Sequence, residues 1–421
     1  MLRTGIIAVY DAGMITTSRP FLGLLVFAAG CAQAAEWRGL VDVRAVDSDA
    51  SRSFLDSGMG KTRYDANSPR LSIGQAVLHG DADITDSISG TLELSADQQH
   101  RGVVDVREAW LAWSPVPAGA WKTRVKAGFF FPPTSVEIDY DSVGWVPKHT
   151  ISSSAINSWI GEELRTNGVE WSARRLGRYV DAPYDVGVVA AVFNGNDPTG
   201  TLLAWRGWSI SDRIAGRFDT VKLPDLPVYR SDGAIPRQWR DIHPFREVDG
   251  RLGYYAGANF NVGTRLELAA LHYDNLADPM AVKDGQYSWR TRFDHVSAVW
   301  RPQGQWELAI QTMRGDTLMG PNAVALDFQS WFALASHPLG GGTAAIRYDH
   351  FRTRGHDILP ADPNDENGYG VALAYDWPLS DSLSLMSEAL LVRSNRSARR
   401  LLAELPQQTE RSFTVSLRWR F

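Results

Sequence analysis

The chain has 421 residues, and its 43 basic and 48 acidic side chains give a net charge of −5. This balance provides no basic surface for nucleic acid, so we expect no nucleic-acid partner. The single cysteine, Cys31, excludes a disulfide framework and a thiolate metal site.

Residues 1–34 read as a signal peptide, followed by a mature domain at 35–421. Residues 20–35 are apolar over a length typical of signal peptides, and Ala-Gln-Ala at 32–34 fits a cleavage site. Met14 is an alternative start, because the residues before it include an acidic one that a signal peptide does not need. No later run reaches the roughly 18 apolar residues that a membrane-spanning helix needs.

The mature chain contains sixteen segments with strand character, separated by turn residues. They span 36–45, 69–80, 87–96, 103–114, 121–130, 167–175, 184–194, 250–262, 264–274, 292–301, 304–313, 325–336, 342–353, 368–377, 383–394 and 411–421. Short connections alternate with longer ones, as in barrels with periplasmic turns and extracellular loops. The sequence therefore predicts an all-β fold, a transmembrane antiparallel β-barrel of about 16 strands. A soluble sandwich is the alternative, but it has no reason to keep this alternation.

The last segment shows the two-faced pattern clearly. Its alternate residues Phe413, Val415, Leu417, Trp419 and Phe421 are apolar, and the residues between them are polar. This pattern with its terminal phenylalanine resembles the last strand of bacterial outer-membrane barrels, which the barrel-assembly machinery recognises. The resemblance implies that machinery as a partner and the outer membrane of a Gram-negative bacterium as the location.

Several tryptophans lie within a few residues of a predicted short turn or of a chain end. They are Trp37, Trp113, Trp121, Trp300, Trp306, Trp377 and Trp419. Such placement indicates an aromatic girdle at one interface of the outer-membrane lipid. The alternative is that each ring fills a local core.

The first and fifth segments carry cations between apolar residues. These cations are Arg38, Arg44, Lys122, Arg124 and Lys126. An arginine or lysine facing lipid at mid-depth costs roughly 2 to 4 kcal/mol. We therefore expect these five side chains to face a wet lumen, as pore-wall cations.

The connection at 131–166 is too long for a plain connector and too apolar for a disordered one. Phe129-Phe-Phe-Pro-Pro-Thr-Ser-Val-Glu137 and Ser153-Ser-Ala-Ile-Asn-Ser-Trp-Ile-Gly-Glu-Glu-Leu-Arg165, followed by Gly168-Val-Glu-Trp171, resemble the phosphate-selective porin O and P family. The resemblance implies a sixteen-stranded porin, usually a homotrimer, with this third extracellular loop folded inward as the constriction. Phosphate selectivity itself is not predicted, because only two of the six lysines, Lys122 and Lys126, lie close together.

The same connection is acidic. Its carboxylates, which we expect at the constriction, are Glu137, Asp139, Asp141, Glu162 and Glu163. Carboxylates facing wall cations across a narrow pore would create a transverse field that sets ion preference. The alternative is that they are solvated loop residues.

A second long connection, at 195–249, is rich in arginine and tryptophan. Arg206, Arg213 and Arg217 are candidates for a cationic vestibule that gathers anions. Contact with lipopolysaccharide or with a sister subunit is the alternative.

Signals for catalysis are poor. The nine histidines are scattered, and neither H-E-x-x-H nor G-x-S-x-G occurs, so we expect no enzyme, no cofactor and no metal site. The function that fits is an outer-membrane porin for passive diffusion of small hydrophilic, anionic solutes. The alternatives are a barrel hydrolase using serine with His272 or His350, and a non-conducting structural barrel plugged by its own loops.

Overall fold

The structure is a computed structural model that describes residues 33–97, 103–117, 119–139, 143–359 and 361–421. Nearly all of the predicted signal peptide, and Asp141 of the predicted constriction, lie outside these ranges. Sixteen strands form a closed antiparallel barrel in which each strand pairs with its neighbours in sequence and the last pairs with the first. The predicted fold class is confirmed.

Every predicted segment corresponds to a barrel strand. The strands are β1 (Gln33–Ser48), β2 (Leu71–Thr85), β3 (Ile88–Ala96), β4 (Val104–Trp113), β5 (Trp121–Phe130), β6 (Thr166–Arg175), β7 (Asp185–Asn194), β8 (Gly253–Val262), β9 (Leu266–Asp274), β10 (Arg290–Trp300), β11 (Glu307–Met319), β12 (Val324–Leu339), β13 (Gly342–Gly355), β14 (Glu366–Pro378), β15 (Leu383–Arg396) and β16 (Gln407–Arg420). The later strands extend further on the long-loop side than predicted. In β11, for example, pairing with β12 carries the strand through polar residues and Gly315 to Met319.

The seam between β1 and β16 closes the barrel. Its register runs from Leu40 opposite Arg420 to Ser48 opposite Ser412. Beyond β16, the Gly39 N–H donates to the Phe421 carbonyl oxygen at 2.8 Å. The Phe421 ring lies so close to Gly39 that a Cβ atom there would be 2.1 Å from it. The terminal phenylalanine therefore packs over a glycine at the seam.

The two faces of the strands differ in exposure. In β11, Leu308 and Ile310 alternate with the buried Ala309, Gln311 and Met313. The seven tryptophans of the predicted girdle are 44% to 52% exposed. This exposed apolar belt is the surface that a bilayer requires.

Three connections on the long-loop side matter for the site: L1 (49–70), L3 (131–165) and L4 (195–252). L3 contains helix α1 (Ala155–Glu163), every residue of which is buried, and L4 contains helix α2 (Thr201–Trp205). The Ser154 side chain caps α1 by accepting a hydrogen bond from Asn157 N–H. Among the described residues, no helix combines the length and the apolar character needed to cross a bilayer.

Both helices belong to a hydrophobic cluster that also includes strand residues. Trp159 of α1 contacts Phe293 of β10 and Phe328 of β12, with ring centroids 5.7 and 5.3 Å apart. Trp208 of L4 packs on the same indole, at 6.0 Å. The two long loops therefore share one core with the barrel strands.

A charge on the outer face should destabilise the barrel. Ile310 is 49% exposed and lies on β11 between the girdle residue Trp306 and the charged Arg314. We expect Ile310→Arg to lower the free energy of unfolding by about 2 to 4 kcal/mol, because the guanidinium would face lipid near mid-depth. Urea titration of the protein in lipid vesicles measures this difference.

Arg314→Ala, on the same face of the same strand, is the matched control. Its side chain is 81% exposed above the apolar belt, so its removal should change the stability by no more than about 0.5 kcal/mol. Equal stability of Ile310→Arg and wild type would show that this face does not contact lipid.

Candidate functional site

L3 is fastened to the barrel by a buried arginine on β13. The Arg347 Nη1 donates to Glu137 Oε1 at 2.6 Å and to Thr150 Oγ1 at 2.9 Å, and its Nε donates to Asp349 Oδ2 at 2.8 Å. Asp349 in turn accepts the Ala155 N–H, at the start of α1, at 3.0 Å. Because all of these groups are buried, the ion pairs are shielded from solvent and hold L3 in one position.

A second carboxylate on the wall holds the same part of L3. Glu388 of β15 accepts the backbone N–H groups of Ile151 at 2.9 Å and Ser152 at 3.1 Å. L3 is therefore anchored to β13 and β15 by charged side chains that alternate with the exposed apolar ones of those strands.

The predicted constriction carboxylates occupy different surroundings. Glu137 is buried and also accepts hydrogen bonds from Ser154 N–H and the Asn157 side-chain amide, at 2.9 and 2.7 Å. Asp139 is half-buried and lines a cavity, whereas Asp141 lies outside the described residues. Glu137 therefore stabilises the start of α1 by accepting these hydrogen bonds.

Glu162 meets two of the arginines that the sequence suggested for a vestibule. It forms ion pairs with Arg206 and, at 3.3 Å, with Arg213. Arg213 also pairs with Asp219 at 2.8 Å. Neither guanidinium lies at a solvent-facing surface, since both side chains are at most 3% exposed, so the structure places them as links between L3 and L4.

Glu163 is fully buried at the end of α1. Its carboxylate accepts hydrogen bonds from Trp159 Nε1 at 2.6 Å and from Leu202 N–H at 2.9 Å. Burial raises the pKa of Glu163 to about 7, against these hydrogen bonds, which favour the charged form. Glu163 therefore joins α1 to α2.

Arg217, the remaining vestibule candidate, is half-buried. Its guanidinium lies over the ring of Phe129, 5.4 Å from the centroid, and burial lowers its pKa.

The pore-wall candidates divide into paired and unpaired cations. Arg38 pairs with Asp81 at 2.6 Å, and Lys126 pairs with Glu170 at 3.2 Å. Lys122 is exposed, and Arg124 lies over the Trp110 ring at 4.7 Å. Neither of these two cations has an ion-pair partner among the described residues.

Arg44, the fifth wall candidate, is fully buried between two carboxylates. Its Nη2 lies 2.6 Å from Asp42 Oδ2 and 2.6 Å from Asp212 Oδ2. Asp212 belongs to L4, and no spacing or motif in the sequence pointed to it as the partner of a wall arginine.

Two cavities lie on opposite sides of the contacts that hold L3 and L4 to the barrel wall. The one on the long-loop side has a volume of about 500 Å³. Its polar lining includes Arg63, Tyr64, Asp97, Arg213, Lys222 and Asp241. The other, of about 530 Å³, lies near the short turns, and its polar lining includes Asp139, Lys148, Arg174, Asn261, Glu267 and Arg301.

A narrow slot adjoins the first cavity and shares Arg63 and Tyr64 with it. The slot has a volume of about 20 Å³, close to the space that one water needs. Its polar lining includes Arg44, Asp212, Glu388, Ser412 and Thr414.

The histidines suggested for a hydrolase do not form a Ser-His pair in the described structure. His272 Nδ1 lies 2.8 Å from Asp294 Oδ1 on the exposed face, and the His350 ring stacks on Trp331. The Ser330 hydroxyl donates to the backbone carbonyl oxygen of His350 at 3.0 Å and not to its ring.

An acidic group is formed by Asp197, Glu247 and Asp249. The Asp197 carboxylate accepts hydrogen bonds from the backbone N–H groups of Val248 and Asp249 and so stabilises the backbone there. We therefore do not propose a metal site at these three acidic residues.

Comparison with known proteins identifies the fold. No protein-family model matches the chain, and no curated protein is significantly similar to it in sequence. Among solved structures, the outer membrane channel DcaP of Acinetobacter baumannii is 9% identical with a TM-score of 0.55, over 92% of this chain and 97% of that chain. OmpT, an outer membrane protein of Vibrio cholerae, is 10% identical with a TM-score of 0.51, over 92% of this chain and 97% of that chain.

At these identities the similarity establishes the fold alone. The sixteen strands of this chain form a closed antiparallel barrel whose fold is similar to that of these two proteins, and its apolar outer belt fits a lipid bilayer. The finer resemblance to the phosphate-selective porin O and P family stays a prediction.

The anchoring role of Arg347 can be tested by removing its charge. Arg347→Met leaves the Glu137 and Asp349 carboxylates buried without their cation, which should cost about 3 to 5 kcal/mol. We expect a lower free energy of unfolding and faster proteolytic cleavage within L3.

Arg354→Met on the exposed face of the same strand is the control and should leave both measurements unchanged. Wild-type stability and cleavage in Arg347→Met would contradict the anchoring role.

Proposed function

We propose that the protein is an outer-membrane porin that forms a water-filled channel for passive diffusion of small hydrophilic solutes and favours anions. The observation that carries the proposal is a closed barrel with an apolar outer face and charged residues on the opposite face of its strands. Charges on that face would be costly against lipid, so we infer that the face is turned inward, where ion pairs hold some of them and water reaches others such as Lys122.

In this proposal L3 lies inside the lumen and narrows it. The support is that α1 is wholly buried and that L3 contacts strands as far apart in the barrel as β10 and β15. A segment outside the barrel would meet the apolar belt instead.

The preference for anions rests on cations that no carboxylate neutralises. Lys122 and Arg124 on β5 meet this condition among the described residues. Lys148 of L3, which lines the cavity near the short turns, also has no ion-pair partner among the described residues, whereas Arg174 and Arg301 of that cavity are paired with carboxylates. Arg44, Arg206 and Arg213 lie in ion pairs, so they contribute less to the field that a solute meets.

The proposal includes assembly into a homotrimer in outer-membrane lipid, after recognition of β16 by the barrel-assembly machinery. The trimer form of OmpT from Vibrio cholerae has a TM-score of 0.51 to this chain, with 9% identity over 92% of this chain and 99% of that chain.

We propose no catalytic activity and no cofactor, because His272 and His350 lack a serine partner in the described structure.

A second candidate is a non-conducting barrel plugged by its own loops. It is favoured by one observation, the dense packing of α1, α2 and strand residues in a single hydrophobic cluster. Planar-bilayer recording separates the two candidates. Stepwise conductance increments from purified protein are expected, and their absence would overturn the porin proposal in favour of the plugged barrel.

Charge reversal tests the anion preference. Lys122→Glu with Arg124→Glu replaces the two unpaired wall cations by anions, so the channel should shift toward cations. The reversal potential in a potassium chloride gradient measures the shift.

The matched control is Arg314→Glu with Arg354→Glu, which makes the same change in net charge on the exposed outer face. It should leave the reversal potential at the wild-type value. If the wall variant also keeps that value, these two cations do not set the selectivity.

A further inference from the structure

We infer that the outer face of β12–β15, on the long-loop side, binds the phosphorylated headgroup of a glycolipid in the surrounding membrane leaflet. This inference goes beyond the proposed channel function, because it concerns the surface that faces lipid rather than the lumen. It assigns a partner to exposed arginines that lie outside the pore.

The exposed polar residues on the long-loop half of these strands form one surface, which we call the outer polar patch. Its members are Gln329, Arg352, Arg354, Asn367, Arg393 and Asn395. Gln329 lies opposite Arg352, which in turn lies opposite Asn367. Asn367 lies opposite Asn395 on the next strand. Since neighbouring strands are about 4.8 Å apart, one large headgroup can contact several of these side chains.

The row of side chains continues onto β11. Arg314 lies opposite Gln329 on the side away from Arg352, so two arginines flank one amide. Each guanidinium presents a planar set of N–H donors that phosphate oxygens accept in pairs, and the amide adds a further donor. This row therefore offers the donors that a phosphate group requires.

The arginines of the patch lack carboxylate partners. Arg352, Arg354 and Arg393 form no ion pair in the described structure, and the contact of Arg314 with a carboxylate is a long one, 4.0 Å from Asp294.

The acids nearby have other partners. Asp294 lies 2.8 Å from His272, and Asp316 lies 2.8 Å from Arg292. Asp327, the one acid exposed on the long-loop half of β12–β15, lies 3.9 Å from His356. The patch consequently carries an excess of positive charge, which suits an anionic ligand.

The height of the patch matches that of lipid headgroups. Arg314 lies eight residues beyond the girdle residue Trp306 along β11. A strand rises about 3.4 Å per residue and tilts by about 40°, so these eight residues climb roughly 20 Å. The apolar band of a membrane barrel is about 25 Å tall, so the arginines lie near its far edge.

Aromatic and aliphatic side chains lie below the arginines on the same face. The Trp331 ring stacks on His350, and the Tyr348 ring stacks on Tyr369, with centroids 6.1 and 6.0 Å apart. Nearer the middle of the belt, Ile346 of β13 is 49% exposed. A ligand that has both phosphate and acyl chains therefore fits this face, with its phosphate at the arginines and its chains along the belt.

The opposite side of the barrel shows a different surface near the same strand ends. Val169, Val192 and Tyr254 of β6–β8 lie opposite one another and are exposed. An apolar face of this kind suits a sister subunit better than the outer polar patch does, because a protein interface would bury unpaired guanidinium groups. The patch is thus assigned to lipid.

Arg352→Gln with Arg393→Gln removes two cations of the patch. Native mass spectrometry of the purified protein in detergent micelles, titrated with diphosphoryl lipid A, measures the affinity. We expect the double variant to bind this lipid roughly tenfold to thirtyfold more weakly than wild type, because each arginine near an anionic headgroup contributes a factor of about five. An affinity equal to that of wild type overturns the inference.

Arg230→Gln with Arg251→Gln is the control for net charge. It makes the same change in L4, at half-exposed side chains that pair with Asp225 and Asp278. This variant should bind lipid A as wild type does, and equal weakening in both double variants would overturn the assignment to the patch. Loss of the exposed arginines should alter stability only when the lipid is bound, since a ligand stabilises the state that binds it.

Gln329→Glu provides an independent test should the double variant not fold. The new side chain has nearly the same shape and is exposed, so the barrel should form, as gel mobility before and after boiling verifies. Its carboxylate would attract Arg314 and Arg352 and weaken the binding of lipid A. Unchanged binding in the folded variant contradicts the inference.

Two further probes identify the source of the phosphate. Lipid A without its phosphates should bind wild type weakly, and excess inorganic phosphate should not displace diphosphoryl lipid A. Displacement would show a site for free anions, and loss of a trimer in the double variant with unchanged lipid binding would show a subunit interface. Either result overturns the inference. None of these measurements requires conductance, so the porin proposal is tested separately.

Discussion

The structure depends on the closure of the sheet between its first and last strands. In a bilayer core, no water satisfies unpaired backbone N–H and C=O groups, so an open sheet edge there would be strongly unfavourable. Pairing of β1 with β16 removes both edges, and Phe421 packs over Gly39 where this seam ends. Closure also separates the apolar outer belt from the charged opposite face. That charged face provides the partners to which the long loops attach.

Buried ion pairs then decide how the loops are placed. Arg347 holds L3 through Glu137, and Asp212 holds L4 against Arg44 and L1. Such pairs contribute little net stability compared with apolar packing, but each makes displacement of its loop costly, because a charge would be left buried without a partner. The same contacts fix which charges remain available to a solute. In the described structure these include Lys122 and Arg124 on β5.

Much of the fold could be predicted from the sequence, because a strand with one face in lipid repeats every two residues and short turns alternate with long loops. All sixteen strands and the exposed tryptophans, such as Trp300 and Trp419, agree with that pattern. The site was predicted less well. The sequence suggested that Arg206 and Arg213 form a solvent-facing vestibule, yet both are buried against Glu162. The reason is that the apolar residues of α1 and α2 pack the two loops into one core.

The sequence by itself determined the strand count, the two faces of each strand and the identity of the long loops, since these follow from periodicity and connection length. Only the tertiary structure decided which acid meets which base. Glu137 and Arg347 are 210 positions apart, and Asp212 and Arg44 are 168 apart. No local pattern encodes such pairs, because they depend on how closure of the barrel brings distant strands around the same two loops.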